Sequence, residues 1–450
     1  MPARPATLAS RGAQGRGFTV AGRRAAAQVL TLVIFAIAGL FLIVAMIDQT
    51  AGHAGVLEPW QQWLLGLLSL AAIGLCVAAD VPSLNWLLAA SLALLGLLPN
   101  VSASLRDQPL ESNLLVFGLV GAALSVGAAL SPPLVWRAGA LTLLTAIVWL
   151  SLLGMLVSAS NTGIDVFYER NSRDLLGLYQ LRGITGHPNA LAMISALALI
   201  LQLQSIRRLA STARRAASSR WTSPGMRMAY FALGPIVSVV VLLLSQSRTG
   251  WLVAVCGLIA VLIPLPQRHR SRWVSGLLAA FVVIAQLPVL LADGVTGFHG
   301  RAFAWHVAWE EFQTSPLIGV GTDVFSHEYW EANRDQWLGF WLQNWQGGQL
   351  YWEPAHAHNQ FLQTAAVGGI VALSALLLLA GILAYIAVKA FDVDSRWMIG
   401  TLVILVTVGC VEVVLGVGLV SGTFVLPLVL PVIAGSSIML MKPASPARLP

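Results

Sequence analysis

The chain has 450 residues, of which 57% are hydrophobic and only 10% are charged, and its mean hydropathy is +0.78. A soluble globular domain carries about 25% charged residues, so this composition excludes a soluble protein and indicates an integral membrane protein. The net charge of +7 gives no support to nucleic-acid binding, because the basic residues follow the pattern of membrane loops.

Apolar runs of membrane-spanning length recur along the chain and predict an all-α polytopic fold with about twelve transmembrane helices. Arginines precede the first run as in a signal peptide, but the run is too long for one, so we predict a retained first helix. The three cysteines lie inside predicted spans and are expected to pack as small apolar residues. The predicted spans are 27–47, 62–79, 84–98, 113–130, 136–158, 188–205, 228–246, 249–265, 273–292, 361–388, 397–419 and 421–441.

The distribution of basic residues predicts the orientation of these spans. With both termini in the cytoplasm, 19 of the 26 Lys and Arg residues fall in inner segments and 7 in outer segments. Positively charged loops stay in the cytoplasm, so this arrangement is strongly favoured. We therefore predict a cytoplasmic tail (1–26), a five-span bundle (27–158), central spans with outward motifs (159–292), a periplasmic helical loop (293–360), C-terminal spans (361–441) and a second cytoplasmic tail (442–450).

The loop 293–360 is rich in tryptophan, which prefers the headgroup level of a bilayer. We expect this loop to lie on the membrane surface as short amphipathic helices. Its tryptophans are Trp305, Trp309, Trp330, Trp337, Trp341, Trp345 and Trp352.

Three outward-facing segments each carry an arginine. In LRGITGHPNALA (181–192), Pro188 marks the first position of a helix, whose N-terminus would offer N–H groups to an anion beside Arg182 and His187. An ordinary interfacial helix cap is the alternative. In LLSQSRTGWLV (243–253) and FHGRAFAW (298–305), Arg248 and Arg301 either bind an anion or reach towards lipid phosphate.

The fourth segment is AHAHNQFL (355–362), where His356 and His358 precede Asn359 and a long apolar run. In a strand both histidines would share a face, whereas in a loop only one need point inward. A His-x-His pair is compatible with a metal site, but no cysteine lies outside the membrane and no HExxH motif accompanies it. A hydrogen-bonded loop histidine is a second reading, and a general base that accepts a hydroxyl proton is the third.

Taken together, the three arginines, the helix start and the histidine pair at one membrane face favour a site for a lipid-linked diphosphate beside a base. We assign Arg182, Arg248 and Arg301 to the diphosphate, with His187 as a weaker candidate. His358, next to the helix start, is predicted to be the base, and His356 and Asn359 to orient the acceptor. No metal and no other cofactor is predicted, because the arginines would stabilise the departing charge.

The stretches RGITGHPNALA, SQSRTGW, HGRAFAWHVAWEEFQTSPLIGVGTDVF and HAHNQFLQTAAVGGI resemble the O-antigen ligase family, the WaaL-type relatives of the Wzy O-antigen polymerases. The resemblance covers 182–370. It implies a GT-C-like glycosyltransferase of the bacterial inner membrane, surrounded by membrane lipids. Such an enzyme moves O-antigen polysaccharide from undecaprenyl diphosphate to lipid A–core oligosaccharide at the periplasmic face.

Two alternatives lie within this superfamily, the O-antigen polymerases and the protein O-oligosaccharyltransferases. Polymerases often carry Arg-x10-Gly in outer loops, and none of the seven outward arginines here is followed by glycine at that spacing. The chain ends soon after its last span, which is untypical of the protein-directed enzymes. A transporter or flippase is a third alternative, which would bury ionisable groups at mid-membrane, where only Glu412 lies clearly inside a span.

Overall fold

The structure of the protein is a computed structural model. The structure describes residues 11–50, 57–77, 79–158, 166–168, 179–215, 224–262, 269, 271–276, 279–280, 300–345, 351, 353–389, 396–411, 413 and 425–441. Within these ranges the protein is almost entirely helical, as the apolar runs predict.

Nine helices build the membrane part up to residue 262 and from residue 360 to 389. They are α1 (Arg11–Thr50), α2 (Pro59–Val77), α3 (Ser83–Ser104), α4 (Ser112–Gly127), α5 (Pro133–Ser158), α6 (Pro188–Arg215), α7 (Pro224–Leu244), α8 (Arg248–Leu262) and, further along the chain, α12 (Gln360–Lys389).

Between α8 and α12 the described residues include a short helical stretch at 271–276 and three further helices, and two described helices follow α12. The three further helices are α9 (Arg301–Thr314), α10 (His327–Ala332) and α11 (Arg334–Asn344), and the two that follow α12 are α13 (Arg396–Val411) and α14 (Val425–Ile438). Short 3-10 turns are found at Ala128–Leu130, Gly183–Thr185 and Met439–Met441.

In the part of the chain that the structure describes, seven helices are long and apolar enough to cross a membrane: α1 from Ala21, α2, α3, α4 with its 3-10 extension, α5, α6 as far as Arg207, and α12. Four shorter apolar helices, Leu233–Leu244, Arg248–Leu262, Ile399–Gly409 and Val425–Ile438, coincide with further predicted spans. The predicted span 273–292 falls mostly outside the described residues, as does Glu412. The protein is therefore a polytopic membrane protein, and the number twelve stays a prediction.

Small residues and buried amides hold the membrane helices together. Gly96 of α3 and Gly118 of α4 bring the two backbones into contact, the kind of close approach that only small side chains permit. The amide of Asn85 donates to the carbonyl oxygens of Ser125 (2.7 Å) and Gly435 (3.1 Å), which joins α3 to α4 and α14. Cys76 and Cys256 are free and buried, as predicted for packing residues.

Two local features depart from the predicted all-α pattern. Phe167–Tyr168 and Gln180–Leu181 form a short antiparallel ladder before α6. Helix α12 is broken at Gly369, whose φ of 66° and ψ of −166° are not helical. The long apolar run 361–388 is thus two helical pieces rather than one straight span.

Four tryptophans of the loop 293–360 are buried in protein, whereas they were expected at the headgroup level; the position of the loop on the membrane surface stays a prediction. They are Trp305, Trp330, Trp337 and Trp341, and the last three lie with Phe303 in a hydrophobic core separate from the main one. We call this core the aromatic cluster; its buried members are Phe303, Val307, Ala308, Val320, Val324, Phe325, Trp330, Trp337, Trp341, Ala357, Ala366 and Val367. These tryptophans bury their rings against one another instead of against lipid, because α9, α10 and α11 are close enough to form a core of their own.

Candidate active site

A tight turn with several anchors presents Arg182 and His187. The N–H groups of Arg182 and Gly183 both donate to the carbonyl oxygen of Val166, at 2.9 and 3.1 Å. The N–H of Ile184 donates to Oγ of Ser151 on α5 (3.2 Å). Arg182 is half-buried. Its backbone is therefore fixed by two other parts of the chain.

Two glycines make this turn possible. Gly183 and Gly186 have φ values of 57° and 74°, in the left-handed region that glycine adopts without strain. Each also lies directly against a side chain, Gly183 against Ser151 and Gly186 against Gln49 at the end of α1. A side chain at either position would meet these neighbours.

Helix α6 begins at Pro188, as the sequence predicts. Nδ1 of His187 accepts a hydrogen bond from the N–H of Asn189 (3.2 Å) and so caps the helix start. A ring nitrogen that accepts an N–H carries no proton of its own, so in this arrangement the proton of a neutral His187 is on Nε2. Nε2 of a neutral His187 is therefore the ring atom that can donate a hydrogen bond.

Arg248 is the first residue of α8 and is exposed. Oγ of Ser247 accepts from the N–H of Gly250 (3.0 Å), which is the usual bond of a helix-capping serine. The same hydroxyl donates to Oδ1 of Asn189 (2.7 Å). One serine therefore connects the start of α8 to the start of α6.

Helices α6 and α8 also run parallel and in contact. Gly250 lies against Ala192, and one to two turns further along Gly257 lies against Ile200. The two N-termini are consequently side by side at one end of the protein. The partial positive charges of both helix starts add to the charge of Arg248, which favours an anion at this end.

The histidine loop packs both imidazole rings together. The ring centroids of His356 and His358 are 4.1 Å apart at an interplanar angle of 52°, so both rings lie on the same side of the loop. The N–H of His358 donates to Nδ1 of His356 (3.2 Å), and His358 has a left-handed φ of 50°. This backbone conformation, which the sequence did not reveal, is what lets neighbouring histidines in a loop share a face.

Asn359 is the cap of α12. Its Oδ1 accepts from the N–H groups of Phe361 (3.0 Å) and Leu362 (3.2 Å), and the residue is 2% exposed. Oε1 of Gln363 accepts from the N–H of Ala357 (2.8 Å). Both contacts fix the loop on the helix, so Asn359 determines the position of His358 through the backbone.

Arg301 and the histidine loop meet the same aromatic cluster. Arg301 opens α9 after Gly300, whose φ is 82°, and two residues later Phe303 enters the cluster. On the other side, Trp330 donates from Nε1 to the carbonyl oxygen of Pro354 (3.1 Å), and Ala357 is fully buried in the cluster. The cluster therefore supports both of these candidate site segments.

Helix α13 connects the two halves of the site. Near its beginning Gly400 lies against Gly257 and Val261 of α8, and near its end Gly409 lies against Gln360 and Phe361. Because α13 runs antiparallel to α8, its last turns are level with the start of α8. The histidine loop is thus at the same end of the protein as Arg248.

A polar network stiffens the aromatic cluster. The hydroxyl of Tyr329 donates to Oε1 of Glu311 (2.6 Å) and accepts from Nε1 of Trp337 (2.9 Å). Burial and the nearby carboxylate of Glu311 raise the pKa of Tyr329, so the hydroxyl stays protonated. The ring of His306 stacks on Phe340 at 4.0 Å, and burial lowers the pKa of His306 despite the opposing charge of Glu310.

Three residues that shape the site were not singled out from the sequence: Gln49, Ser151 and Ser247. Ser247 lies within the motif SQSRTGW, and a serine directly before a helix is a recognisable cap signal. Gln49 and Ser151 are on distant spans, and nothing in their local sequence points to the turn that they support. Among the residues that the structure describes, no group of three or more His, Cys, Asp and Glu side chains is arranged to hold a metal ion.

Comparison with known protein families gives a match over residues 233–377, to the model described as O-antigen ligase. This segment is similar to the O-antigen ligase family. The O-antigen ligase segment contains Arg248, Arg301, His356, His358 and Asn359, and it runs from the middle of α7 to the first part of α12. The turn with Arg182 and His187 precedes it, connected through Ser247 and Asn189.

The match indicates a glycosyl-transfer enzyme that acts on polysaccharide and lipid-linked substrates. It confirms the resemblance drawn from the sequence motifs. No curated protein matches the chain.

Proposed function

We propose that the protein is an O-antigen ligase of the bacterial inner membrane. It would transfer undecaprenyl-diphosphate-linked O-antigen polysaccharide to lipid A–core oligosaccharide at the periplasmic face. The observation that carries this proposal is the hydrogen bond between Ser247 and Asn189, which joins two parallel helix starts. The family match supports the class of reaction.

The joined helix starts suit the diphosphate of the donor. Arg182 and Arg248 would bind its oxygen atoms bidentately, and Arg301 would approach from the aromatic cluster. His187 would donate from Nε2. At a partly desolvated membrane boundary such contacts are stronger than in bulk water, and they strengthen further as negative charge develops on the departing diphosphate.

The histidine pair suits the activation of the acceptor. His358 would take the proton from the acceptor hydroxyl, while that oxygen forms a bond to C1 of the first polymer sugar. The bond from C1 to the phosphate oxygen breaks, and undecaprenyl diphosphate leaves with the electron pair. A single displacement of this kind inverts the anomeric centre.

His356 would have a supporting role. Because its Nδ1 accepts the N–H of His358, a neutral His356 carries its proton on Nε2 and would orient the acceptor or the diphosphate as a donor. Asn359 would act on the same step by fixing the loop on α12. This division of roles assigns proton transfer to His358 alone.

An O-antigen polymerase and a protein O-oligosaccharyltransferase would use the same chemistry with other acceptors. The absence of Arg-x10-Gly after the outward arginines favours the ligase over the polymerase. A transporter or flippase would use no catalytic base.

The lipopolysaccharide profile of a deletion strain separates these functions. Loss of the ligase should leave lipid A–core bare while full-length polymer accumulates on the carrier lipid. A polymerase deletion would instead leave one repeat unit on the core. Unchanged lipopolysaccharide together with loss of glycans from proteins would identify the protein-directed enzyme.

A further inference from the structure

Residues 316–321, which are distant in the sequence, form backbone hydrogen bonds with α12 on both sides of its break at Gly369. The N–H groups of Ile370 and Val371 donate to the carbonyl oxygens of Pro316 (2.8 Å) and Leu317 (3.4 Å). In the other direction, Val320 and Gly321 donate to the carbonyl oxygens of Ala366 (2.8 Å) and Val367 (3.0 Å). We call residues 316–321 the ledge.

The end of α3 and the loop that follows it bind the opposite edge of the ledge. Oγ of Ser102 donates to the carbonyl oxygen of Gly319 (3.0 Å), and Nε2 of Gln108 donates to that of Val320 (3.1 Å). The N–H of Gly319 donates to Ser315 (2.8 Å). Most backbone polar groups of this irregular segment thus have protein partners, as is needed for non-helical backbone close to the hydrocarbon, where unpaired polar groups are costly.

The ledge lies where α3 and α12 reach the membrane boundary. Ser102 is in the last turn of α3, which ends at Ser104. Below the break, α12 continues to Lys389 for about 30 Å at 1.5 Å per residue, which matches the thickness of a bilayer hydrocarbon core. Gly369 therefore marks one edge of that core.

The exposed side chains of the ledge are apolar and continue the lipid-facing surface of α12. Leu317 is 63% exposed and Ile318 is 37% exposed, beside Ile370 and Val371, which the backbone bonds place next to them. Further along α12, Leu377 is exposed in the same way. In the second half of α9, Trp309 is also exposed, and its ring centroid lies 5.5 Å from that of Phe312.

We propose that the ledge is a lipid-contact surface on which the helices α9 to α11 rest. Leu317 and Ile318 contact the acyl chains of the adjacent leaflet, and Trp309 lies at the headgroup level just above them. This contact sets the height of the aromatic cluster, and with it the histidine loop, above the hydrocarbon. The proposal rests on the membrane helices and not on the proposed transfer reaction.

A spin label placed at Leu317→Cys tests the contact in vesicles of phosphatidylethanolamine and phosphatidylglycerol. The measured quantity is the ratio of collisions with oxygen, which enters lipid, to collisions with a water-soluble nickel chelate. Leu377→Cys provides the lipid reference and Glu331→Cys the water reference. Leu342 on α11 is the matched control, because it is as exposed as Leu317, at 63%.

The label at Leu317 should give a ratio close to that at Leu377 and several-fold above that at Leu342. A ratio at Leu317 equal to the water reference would overturn the proposal, and so would a lipid-like ratio at Leu342. Label-free variants give a second measurement: Leu317→Glu should lower the midpoint of thermal unfolding in the same vesicles, and Leu342→Glu should not. Equal midpoints for these two variants would also contradict a lipid contact at the ledge.

Discussion

The substitution Gly183→Ala tests whether the turn beside Arg182 is as constrained as its contacts indicate. Gly183 has a φ of 57°, and a Cβ atom there would overlap the Cβ and Oγ atoms of Ser151. A left-handed conformation costs a residue with a side chain about 1–2 kcal/mol. Overpacking against a buried serine adds about 1–3 kcal/mol, because Ser151 is fully buried on α5 and has little room to move.

The combined strain of about 2–5 kcal/mol would be relieved by displacement of the turn, and Arg182 would move with it. If half of that energy, about 1–2.5 kcal/mol, appears in the transition state, polysaccharide transfer falls by about fivefold to seventyfold. The assay is complementation of a deletion strain, with the lipopolysaccharide ladder and the protein level measured together.

Two further variants distinguish the steric overlap with Ser151 from a general loss of stability. Adding Ser151→Gly to Gly183→Ala removes the overlap, but it leaves the backbone strain and also removes the hydroxyl that accepts from Ile184, so only part of the activity should return. Gly74→Ala is the matched control, because Gly74 is exposed on α2 with no atom near its missing side chain. Normal transfer by Gly183→Ala at a normal protein level would refute the described geometry of the turn.

Three other predictions concern the arginines, a cap and pH. Arg→Lys at any of the three proposed diphosphate arginines keeps the charge but loses the bidentate fork, so ligation in the same assay should fall well below wild type; normal ligation by all three variants would remove that assignment. Ser247→Ala removes the cap of α8 and the bond to Asn189, and should lower the free energy of unfolding by about 1–3 kcal/mol in thermal or denaturant titrations; an unchanged transition would show that the cap contributes nothing. Burial lowers the pKa of His306 in the folded protein, so the neutral imidazole is favoured by folding. Its contribution to the free energy of unfolding is complete above the unfolded-state pKa of about 6.5, and it is lost as the pH falls through the folded-state pKa. The midpoint of thermal unfolding should therefore drop between pH 7 and pH 5 less in His306→Phe than in wild type, whereas the exposed control His327→Phe should follow wild type.

The membrane architecture could be predicted where it depends on local sequence. The starts of α6 at Pro188 and of α9 at Arg301 agree with the structure, because a proline at the first helical position and the onset of an apolar helical pattern are local signals. The polar segments between apolar runs likewise predicted the loops that contain Arg248 and His358.

What escaped prediction depends on contacts between distant segments. Backbone hydrogen bonds between residues 316–321 and 366–371 stabilise the break at Gly369. The two segments are about fifty positions apart in the sequence. The glycines at 319, 321, 368 and 369 were the available signal, since glycines cluster where backbones approach closely. Trp330, Trp337 and Trp341 were expected at lipid headgroups because composition alone does not distinguish an interfacial ring from one in a small separate core.

The most direct test of the proposed function is transfer by the purified protein from undecaprenyl-diphosphate-linked polysaccharide to lipid A–core, in the presence of EDTA. The account predicts that transfer continues in EDTA and that the new linkage has the opposite anomeric configuration to the donor's. His358→Ala should abolish transfer while still binding the donor, and His356→Ala should be milder. Retained configuration, full activity of His358→Ala, or activity lost to EDTA and restored by a divalent ion would contradict it.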